Sequence, residues 1–342
     1  MAPLRDIEAG DRRPADVAAP ALSVRDVEIR IANADPPFTV VSDMSLEVAA
    51  GETLCIVGES GCGKSITALS LLRLLPDGVR VEHGEIDLGE TDMLALSERR
   101  AEDIRGDRIA MIFQEPLTAL NPVMPVGRQI GEALRRHRPM SRRAAARGAV
   151  AALERVQMPD AERRAQQYPH ELSGGMRQRA MIALALCCEP EVIVADEPTT
   201  ALDVTVQAQI LGLIGELQRR LGTALVLITH DLGVVAETAD RVIVMYAGRR
   251  VEEARVTDLF DEPLHPYTRG LMGAIPRGAA TGGHGRLTDI KGTVPPMWDL
   301  PPGCAFAPRC PLAIDRCRAE RPPLEEHRPG HLAACWRVND AT

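Results

Sequence analysis

The chain of 342 residues carries a formal net charge of −8, with 45% apolar and 26% charged residues, which is typical of a folded globular protein. The acidic balance argues against a nucleic-acid-binding protein, and no apolar run approaches the roughly 18–20 residues of a membrane-spanning helix. Residues 1–21 are rich in Ala, Pro and charge and lack the apolar core of a secretory signal. They predict a loose N-terminal arm on a cytoplasmic protein.

The first clear motif connects a buried strand to a helix. "TLCIVG" is an apolar run typical of a buried strand, and "SITALSLLRLL" repeats its apolar residues at helical spacing. Between them lies the pattern G-x-x-x-x-G-K-S/T, the phosphate-binding loop (P-loop), in the strand-to-helix context that it requires. Its backbone N–H groups and the helix N-terminus favour phosphate oxygens. The motif therefore predicts an ATP site formed by Gly58, Glu59, Ser60, Gly61, Cys62, Gly63, Lys64 and Ser65.

Three residues of the loop carry specific expectations. Lys64 would reach the β- and γ-phosphates, and the Ser65 hydroxyl would ligate Mg²⁺. Cys62 lies at the start of a helix, a position that lowers the pKa of a thiol. We therefore expect Cys62 to be alkylated faster than Cys55 in the preceding strand, and to be protected by Mg-ATP.

Two further segments follow the P-loop helix. The residues from Ser97 to Glu171 are Ala- and Arg-rich and predict helices. Beyond them, "EVIVADEP" is a buried-strand pattern that ends in Asp196 and Glu197. Beside a P-loop, the first carboxylate is placed to hold the Mg²⁺ shell, and the second could polarise the attacking water as general base.

"ELSGGMRQRAMIALAL" resembles the signature motif of ATP-binding cassette (ABC) ATPases. Three other motifs occur in the order and spacing of that family. "IAMIFQEPLTALNP" resembles the Q-loop at Gln114, "TTALD" the D-loop that ends at Asp203, and "VLITHDLGVV" the switch histidine at His230. The resemblance covers about residues 22–272.

The resemblance implies the fold and its divisions. We expect an α/β protein, a P-loop NTPase of ABC type, with a RecA-like core, an antiparallel β subdomain and a helical subdomain. The nucleotide-binding domain would span residues 22–260, with the helical subdomain at about 97–171. "YAGRRVEEA" predicts a hairpin near the end of this domain. The chain has no internal repeat, so we expect one cassette.

The resemblance also implies a mechanism in which two cassettes face head to tail, and each ATP lies between the P-loop of one and the signature of the other. Gln114 would contact Mg²⁺ and the lytic water, and His230 would hold the γ-phosphate and that water. Phe38, in "PPFTVV", is the candidate for stacking on adenine. The signature residues that would contact the partner's ATP are Ser173, Gly174, Gly175 and Met176, the last in place of the usual glutamine.

The C-terminal tail contains four cysteines, Cys304, Cys310, Cys317 and Cys335, separated by five, six and seventeen residues. Disulfides are disfavoured in a reducing cytosol. Packing cysteines, a structural zinc site and an iron–sulfur cluster remain open, although the usual closely spaced zinc pairs are missing. Because the tail lacks regular periodicity, a metal centre would supply much of its folding energy. His327 and His331 rank lower as ligands.

"PLHPYTRGLMGAIP" and "GTVPPMWDLPPGCAFAPRCPLAIDRC" resemble the C-terminal extension of ABC importers for peptides and nickel. Residues 261–342 would form this extension. Since some peptide importers carry a 4Fe–4S cluster at the matching cysteines, the resemblance favours that cluster over Zn²⁺. The tail would then be a small metal-binding extension that lies outside the ATP site, so that ATP affinity should survive loss of the metal.

The resemblance implies a function and its partners. The chain would hydrolyse ATP to power the import of di- or oligopeptides, on the cytoplasmic face of the inner membrane. Its partners would be a sibling ATPase in a heterodimer, two membrane permeases and an external substrate-binding protein, with no nucleic acid. A nickel or glutathione importer is the alternative in the same class, and a soluble ABC ATPase acting on nucleic acid or ribosomes is the alternative in another class.

Overall fold

The computed structural model describes residues 19–200, 202–273 and 290–338, so most of the predicted arm 1–21 lies outside the described residues. The strands in these ranges are β1 (Leu22–Ile31), β2 (Phe38–Val48), β3 (Thr53–Val57), β4 (Val79–Leu88), β5 (Thr91–Asp92), β6 (Ile109–Ile112), β7 (Val192–Asp196), β8 (Ala224–Thr229), β9 (Arg241–Tyr246), β10 (Arg249–Arg255), β11 (Glu325–Arg328) and β12 (His331–Ala333). The helices are α1 (Lys64–Leu71), α2 (Glu98–Ile104), α3 (Pro116–Ala119), α4 (Val126–His137), α5 (Arg142–Arg155), α6 (Ala161–Arg164), α7 (Gly174–Leu186), α8 (Val204–Leu221), α9 (Leu232–Thr238), α10 (Val256–Asp261), α11 (Pro266–Gly273) and α12 (Asp315–Ala319).

The centre of the protein is a mixed sheet in the order β11-β12-β10-β9-β3-β8-β7-β6. The strands from β9 to β6 pair in parallel, and β3, β7 and β8 are buried along their whole length. Strands covered on both faces read as continuous apolar runs rather than as alternating ones, which is the pattern seen in the sequence. The P-loop core expected from the sequence is therefore present.

Successive residues of the central strands face two different apolar clusters. Cys55 and Ile193 belong to the cluster under the helices α4, α5, α7 and α8. Leu54, Ile56 and Val194 belong to the cluster under a second sheet, in the order β2-β1-β4-β5. This second sheet pairs its strands antiparallel, which confirms the expected antiparallel β subdomain.

The stretch 97–171, expected to be helical, contains α2 to α6 and a short 3-10 turn at Pro169–Glu171. It also contains β6, which the helical interpretation did not anticipate. Ile109–Ile112 are four consecutive buried apolar residues that pair in parallel with β7, so this segment belongs to the central sheet. Helix α2 therefore precedes this strand of the central sheet, and α3 to α6 follow it.

The tail is joined to the central sheet rather than attached beside it. Strand β12 pairs antiparallel with β10, so that the predicted hairpin of β9 and β10 is followed by further strands.

Three rings form an aromatic cluster, namely Tyr246, Tyr267 and Phe306, with centroids 4.7–5.4 Å apart. These rings are buried in the same apolar cluster as Cys55 and Ile193, so the tail packs onto the core of the domain, which the weak periodicity of its sequence did not indicate.

A fully buried carboxylate fixes the entry to the tail. Glu252 in β10 accepts backbone N–H groups of Leu264 at 2.6 Å and His265 at 2.9 Å, and lies 2.8 Å from His331 Nε2. A buried charge is tolerated when such hydrogen bonds satisfy it. Both tail histidines of this region serve the fold, since His327 Nε2 lies 3.2 Å from the Ala333 carbonyl oxygen.

Among the described residues, no helix has both the length and the apolar character needed to cross a bilayer.

His265 should make the stability of the protein depend on pH. Its Nδ1 accepts the Tyr267 N–H at 3.1 Å, and burial lowers its pKa to about 4, with Arg269 acting in the same direction and Glu252 opposing it. Between about pH 4 and the ordinary histidine pKa of about 6.5, His265 is protonated in the unfolded chain but neutral in the folded protein. The free energy of unfolding is therefore unaffected by His265 above pH 6.5 and decreases as the pH falls below it, by up to roughly 3 kcal/mol.

We expect the His265→Asn variant, whose amide oxygen can accept the same N–H, to lose less stability than the native chain between pH 7 and pH 5. Urea unfolding at both pH values measures this, with His83→Asn at an exposed position as control. Equal pH dependence in the His265→Asn variant and the native chain would show that His265 does not carry the effect.

Candidate functional site

The P-loop connects β3 to α1 and requires glycine where the chain passes closest to its neighbours. A Cβ on Gly58 would lie 2.3 Å from the Met245 carbonyl oxygen, and one on Gly63 would lie 3.1 Å from the Val40 carbonyl oxygen. Gly63 also has φ 101°, a left-handed conformation that glycine adopts without strain, and it caps α1. These glycines allow the loop to wrap around the start of the helix.

Lys64 is buried at the base of this loop. Its Nζ donates to the carbonyl oxygens of Gly58 at 2.7 Å and Glu59 at 3.0 Å. A compact ammonium with three donors suits this position, because it can hold the loop and still face a phosphate oxygen.

The two carboxylates at the end of β7 have different surroundings. Asp196 Oδ1 accepts a hydrogen bond from Ser65 Oγ at 3.1 Å. Burial raises the pKa of Asp196, and the charge of Glu197 adds to this, whereas Ser65 and Lys64 oppose it. A carboxylate with a raised pKa beside a serine hydroxyl is a site that a divalent cation would stabilise in its ionised form.

Glu197 is the point at which the predicted catalytic residues meet. Its Oε2 accepts hydrogen bonds from Gln114 Nε2 at 3.3 Å and Thr200 Oγ1 at 2.9 Å, and lies 3.3 Å from His230 Nδ1. Its φ of 45° is uncommon for a residue with a side chain, and its N–H donates to the Ile228 carbonyl oxygen at 3.0 Å. Thr200 was missed by sequence reasoning, since a threonine three residues after a carboxylate carries no signal.

One cavity of about 530 Å³ lies above the P-loop. Eight of the predicted residues line it, together with Val40 and Ile66: Ser60, Gly61, Gly63, Lys64, Ser65, Gln114, Glu197 and His230. The remaining loop residues Gly58, Glu59 and Cys62 do not line it, and Asp196 lies behind Ser65. The cavity thus combines a phosphate-binding loop with a carboxylate, an amide and an imidazole.

The signature and D-loop residues form helix N-termini away from this cavity. The Ser173 hydroxyl accepts the Met176 N–H at 3.4 Å and caps α7, and the Asp203 carboxylate accepts the Val206 N–H at 3.0 Å and caps α8. A Cβ on Gly175 would lie 3.1 Å from Val206 Cγ1, so the two helix starts are neighbours. Gly174 begins α7 beside it. None of these residues lines the cavity above Lys64.

Phe38 begins β2, two residues before Val40 of the cavity wall. Its ring packs edge-on against Trp298 of the tail, with centroids 5.8 Å apart. The Trp298 side chain is 68% exposed, more than that of Tyr168, the other exposed large aromatic residue in the described part of the chain. The candidate adenine contact is therefore an aromatic pair to which the tail contributes one ring.

The structure contradicts the lowered pKa that was expected for the Cys62 thiol. Its side chain is fully buried, and this burial raises the pKa of the thiol. The nearby Lys64 ammonium, with Nζ 3.8 Å from Sγ, lowers the pKa but does not compensate. Cys62 packs in the same apolar cluster as Ile56 and Met245, so its thiol lies in the core and not in solvent at the start of the helix.

The four tail cysteines line one small cavity together with Phe306 and Trp336. Burial raises the pKa of Cys304 and Cys310, and raises that of Cys335 to about 11, with the neighbouring thiols adding to the effect. Within the part of the chain that the structure describes, no three His, Cys, Asp or Glu side chains are arranged to hold a metal ion. The thiols are grouped but do not converge on one point.

The tail also contacts the P-loop at Glu59, although none of its described residues lines the cavity above Lys64. Tyr267 Oη accepts the Glu59 N–H at 2.8 Å, and the Arg309 guanidinium pairs with the Glu59 carboxylate. No local pattern marked these residues, because they lie more than 200 positions after the loop in the chain.

Comparison with known proteins identifies two family models in the chain. The model described as ABC transporter matches residues 41–200, and the model described as oligopeptide/dipeptide transporter, C-terminal region, matches residues 251–317. The first range contains the P-loop, the signature and the carboxylate pair. The second contains Tyr267, Arg309 and three of the four tail cysteines.

Curated relatives align over nearly the whole chain. The probable peptide ABC transporter ATP-binding protein y4tR of Sinorhizobium fredii is 55% identical over 320 residues, covering 93% of this chain and 95% of the relative. The oligopeptide transport ATP-binding protein OppD of Salmonella typhimurium is 48% identical over 325 residues, covering 95% of each. The solved dimer of the ATP-binding cassette MJ0796, in a post-hydrolysis state bound to ADP and Pi, matches with a TM-score of 0.62 and 26% identity over 69% of this chain and 98% of that one.

The burial of Cys62 predicts slow alkylation. We expect Cys62 and Cys55 to react at least roughly tenfold more slowly with iodoacetamide than an exposed thiol, because neither forms an accessible thiolate. Ser60→Cys, at an exposed position of the same loop, is the matched control and should react fast and be protected by Mg-ATP. Peptide mapping by mass spectrometry measures all three, and labelling of Cys62 as fast as the control would contradict its burial.

Proposed function

The chain belongs to the ABC transporter ATP-binding proteins of the oligopeptide and dipeptide transporter group, and from this we propose that it is the ATP-hydrolysing subunit of a peptide importer. The observation that carries the proposal is the convergence of Gln114, Thr200 and His230 on Glu197 above the P-loop. A carboxylate held by three neighbours at the mouth of a phosphate site is suited to orient and deprotonate water.

We assign roles to the remaining residues of this cavity. The P-loop amides and Lys64 bind the β- and γ-phosphates, and His230 and Gln114 hold the γ-phosphate and the attacking water in line with Glu197. Mg²⁺ neutralises phosphate charge when bound, and Ser65, Asp196 and Gln114 would hold it. The donor set fits this cation, since hydroxyl, carboxylate and amide oxygens are its preferred ligands. Phe38, with Trp298, would contact the adenine.

The signature and the D-loop complete the site of a second cassette in this proposal. The exposed start of α7, with the Ser173 hydroxyl and the amides of Gly174, Gly175 and Met176, would face the γ-phosphate bound by the partner. Asp203, at the start of α8 beside it, would contact the partner across the interface. ATP then joins the two cassettes and hydrolysis releases them. A sibling ATPase is the proposed partner.

The proposed substrate follows from the relatives whose printed names state peptide or oligopeptide transport. Two membrane permeases and an external binding protein would complete the importer, with this subunit on the cytoplasmic face of the inner membrane. The match over residues 251–317 to the C-terminal region of oligopeptide and dipeptide transporters supports this choice over nickel or glutathione import and over action on nucleic acid.

We also propose that the tail cysteines hold a 4Fe–4S cluster, with Zn²⁺ as the alternative. Four thiols that line one cavity provide the complete donor set for either group. The raised pKa of Cys304, Cys310 and Cys335 means that a bound metal would be needed to keep them as thiolates. Cys317 is the fourth proposed ligand.

Replacing the general base tests the ATPase assignment. Glu197→Gln keeps the shape and the hydrogen bonds of the side chain but cannot accept a proton, so we expect ATP binding to persist and hydrolysis to fall ~10²–10⁴-fold. Steady-state phosphate release by the assembled complex measures this. Glu216→Gln, at an exposed position of α8, is the control, and near-native ATPase activity of Glu197→Gln would rule out the assignment.

Transport itself is tested by uptake in a strain lacking this gene, complemented with the native chain or with Glu197→Gln. We expect labelled dipeptide or tripeptide uptake to be restored by the native chain only. Restoration of nickel or glutathione uptake without peptide uptake would replace the proposed substrate by one of the alternatives.

The metal proposal predicts the content of the purified protein. Anaerobically prepared protein should be brown, with broad absorption near ~400 nm and about four irons per chain, whereas zinc would give a colourless protein with about one metal. Replacement of any one of the four cysteines by Ser should lower the metal content. Cys187→Ser, outside the tail, is the control, and native protein with neither iron nor zinc would contradict a metal centre.

A further inference from the structure

We propose that Arg309 is a positioning residue for the P-loop, through which the C-terminal tail sets the affinity of the cassette for ATP. The inference rests on the proposed function of that loop as the ATP site. It concerns a contact between two segments that are 250 positions apart in the chain.

The contact is a two-pronged ion pair with Glu59, the second residue of the loop. Arg309 Nη1 lies 2.5 Å from Glu59 Oε2, and Nη2 lies 3.0 Å from Oε1. The Arg309 side chain is only 5% exposed. Paired hydrogen bonds between a guanidinium and a carboxylate fix direction as well as distance, and a lysine could not reproduce them.

The remaining donors and the faces of the guanidinium are also held. Nε donates to the Lys291 carbonyl oxygen at 3.0 Å, and Nη2 donates to the Ile290 carbonyl oxygen at 3.2 Å. The guanidinium carbon lies 5.8 Å from the ring centroid of Tyr246 and 6.0 Å from that of Phe306. These contacts hold the guanidinium in one orientation before it pairs with Glu59. Arg309 can therefore determine the position of the Glu59 carboxylate.

Every polar group of Glu59 is bound on this side of the loop. The carboxylate pairs with Arg309, the N–H donates to Tyr267 Oη, and the carbonyl oxygen accepts from Lys64 Nζ. Ser60 and Gly61, the next two residues, line the phosphate cavity. The tail therefore fixes the first turn of the loop immediately before the amides that would face the phosphates.

The pair also has an electrostatic consequence. A carboxylate in the P-loop opposes the negative charge of ATP, and the Arg309 guanidinium neutralises it at contact distance. Removal of Arg309 would leave this carboxylate unpaired in the loop, next to the residues Ser60 and Gly61 that line the phosphate cavity. Loss of Arg309 should change ATP binding rather than the chemical step, because Glu197 is held by three other side chains and does not contact Arg309.

The position of Arg309 links the loop to the tail thiols. Arg309 directly precedes Cys310, and the turn that contains both is closed by hydrogen bonds from the Arg309 N–H to the Phe306 carbonyl oxygen and from the Cys310 N–H to that of Ala307. A change in the packing of the thiol cavity can thus reach the P-loop through one residue.

The test compares ATP affinity, by equilibrium titration of the purified full-length chain with a fluorescent ATP analogue, and turnover, by steady-state hydrolysis in the assembled complex. We expect Arg309→Ala to weaken binding about 10- to 100-fold, the range for loss of charged hydrogen bonds, and to raise KM with kcat within about threefold of the native value. Arg318→Ala, an exposed tail arginine paired with Asp315, is the matched control and should bind ATP normally.

A second substitution separates charge from scaffold. In the Arg309→Ala background, Glu59→Gln removes the unpaired carboxylate but does not restore the pairing, so ATP binding should recover only in part. Arg309→Lys keeps the charge and the fold but not the two-pronged pairing, and it should weaken ATP binding several-fold. If Arg309→Ala does not fold, the Arg309→Lys variant alone tests whether the pairing sets the ATP affinity. Native affinity in both Arg309 variants, or full recovery of native affinity in the double variant, overturns the proposal. Failure of the native chain to bind ATP would instead overturn the proposed function.

Discussion

The structure depends on one geometric constraint, the common edge at which the parallel strands end. In the registers of the central sheet, Val57 pairs with Thr229, Asp196 with Ile228 and Ile112 with Ala195. The residues that follow these strand ends therefore emerge side by side. This is why a glycine-rich loop, an amide, a carboxylate and an imidazole from four distant segments surround one cavity, as in other open α/β sheets.

The opposite half of the same sheet carries the tail, which makes the tail part of the nucleotide-binding unit. Strand β12 pairs with β10, and the buried Glu252 carboxylate of β10 is hydrogen-bonded by the Leu264 and His265 N–H groups and by His331. The aromatic cluster of Tyr246, Tyr267 and Phe306 then spans the junction. Arg309 and Tyr267 reach the P-loop from this cluster, so the apolar contact of the tail and its polar contacts with the loop reinforce each other.

Much of the site could be predicted from sequence because its signals are local. The P-loop needs eight consecutive residues between a strand and a helix, and the Asp196–Glu197 pair follows directly on an apolar strand, so each pattern is contained in one segment. The positions of Gln114 and His230 were found through the family resemblance, since a single polar residue after a strand is not a signal by itself. Their meeting at Glu197 follows from sheet order, which no local pattern states.

By itself the sequence determined the P-loop, the buried strands, the amphipathic helices and the ABC family, because these depend on spacing within short windows. Only the tertiary structure decided which way Cys62 faces, that Ile109–Ile112 joins the central sheet, that Thr200 contacts Glu197 and that Arg309 holds Glu59. The physical reason is the same in each case. Burial and pairing between distant segments depend on what packs against a residue, and that neighbour is not encoded in the residues beside it in the chain.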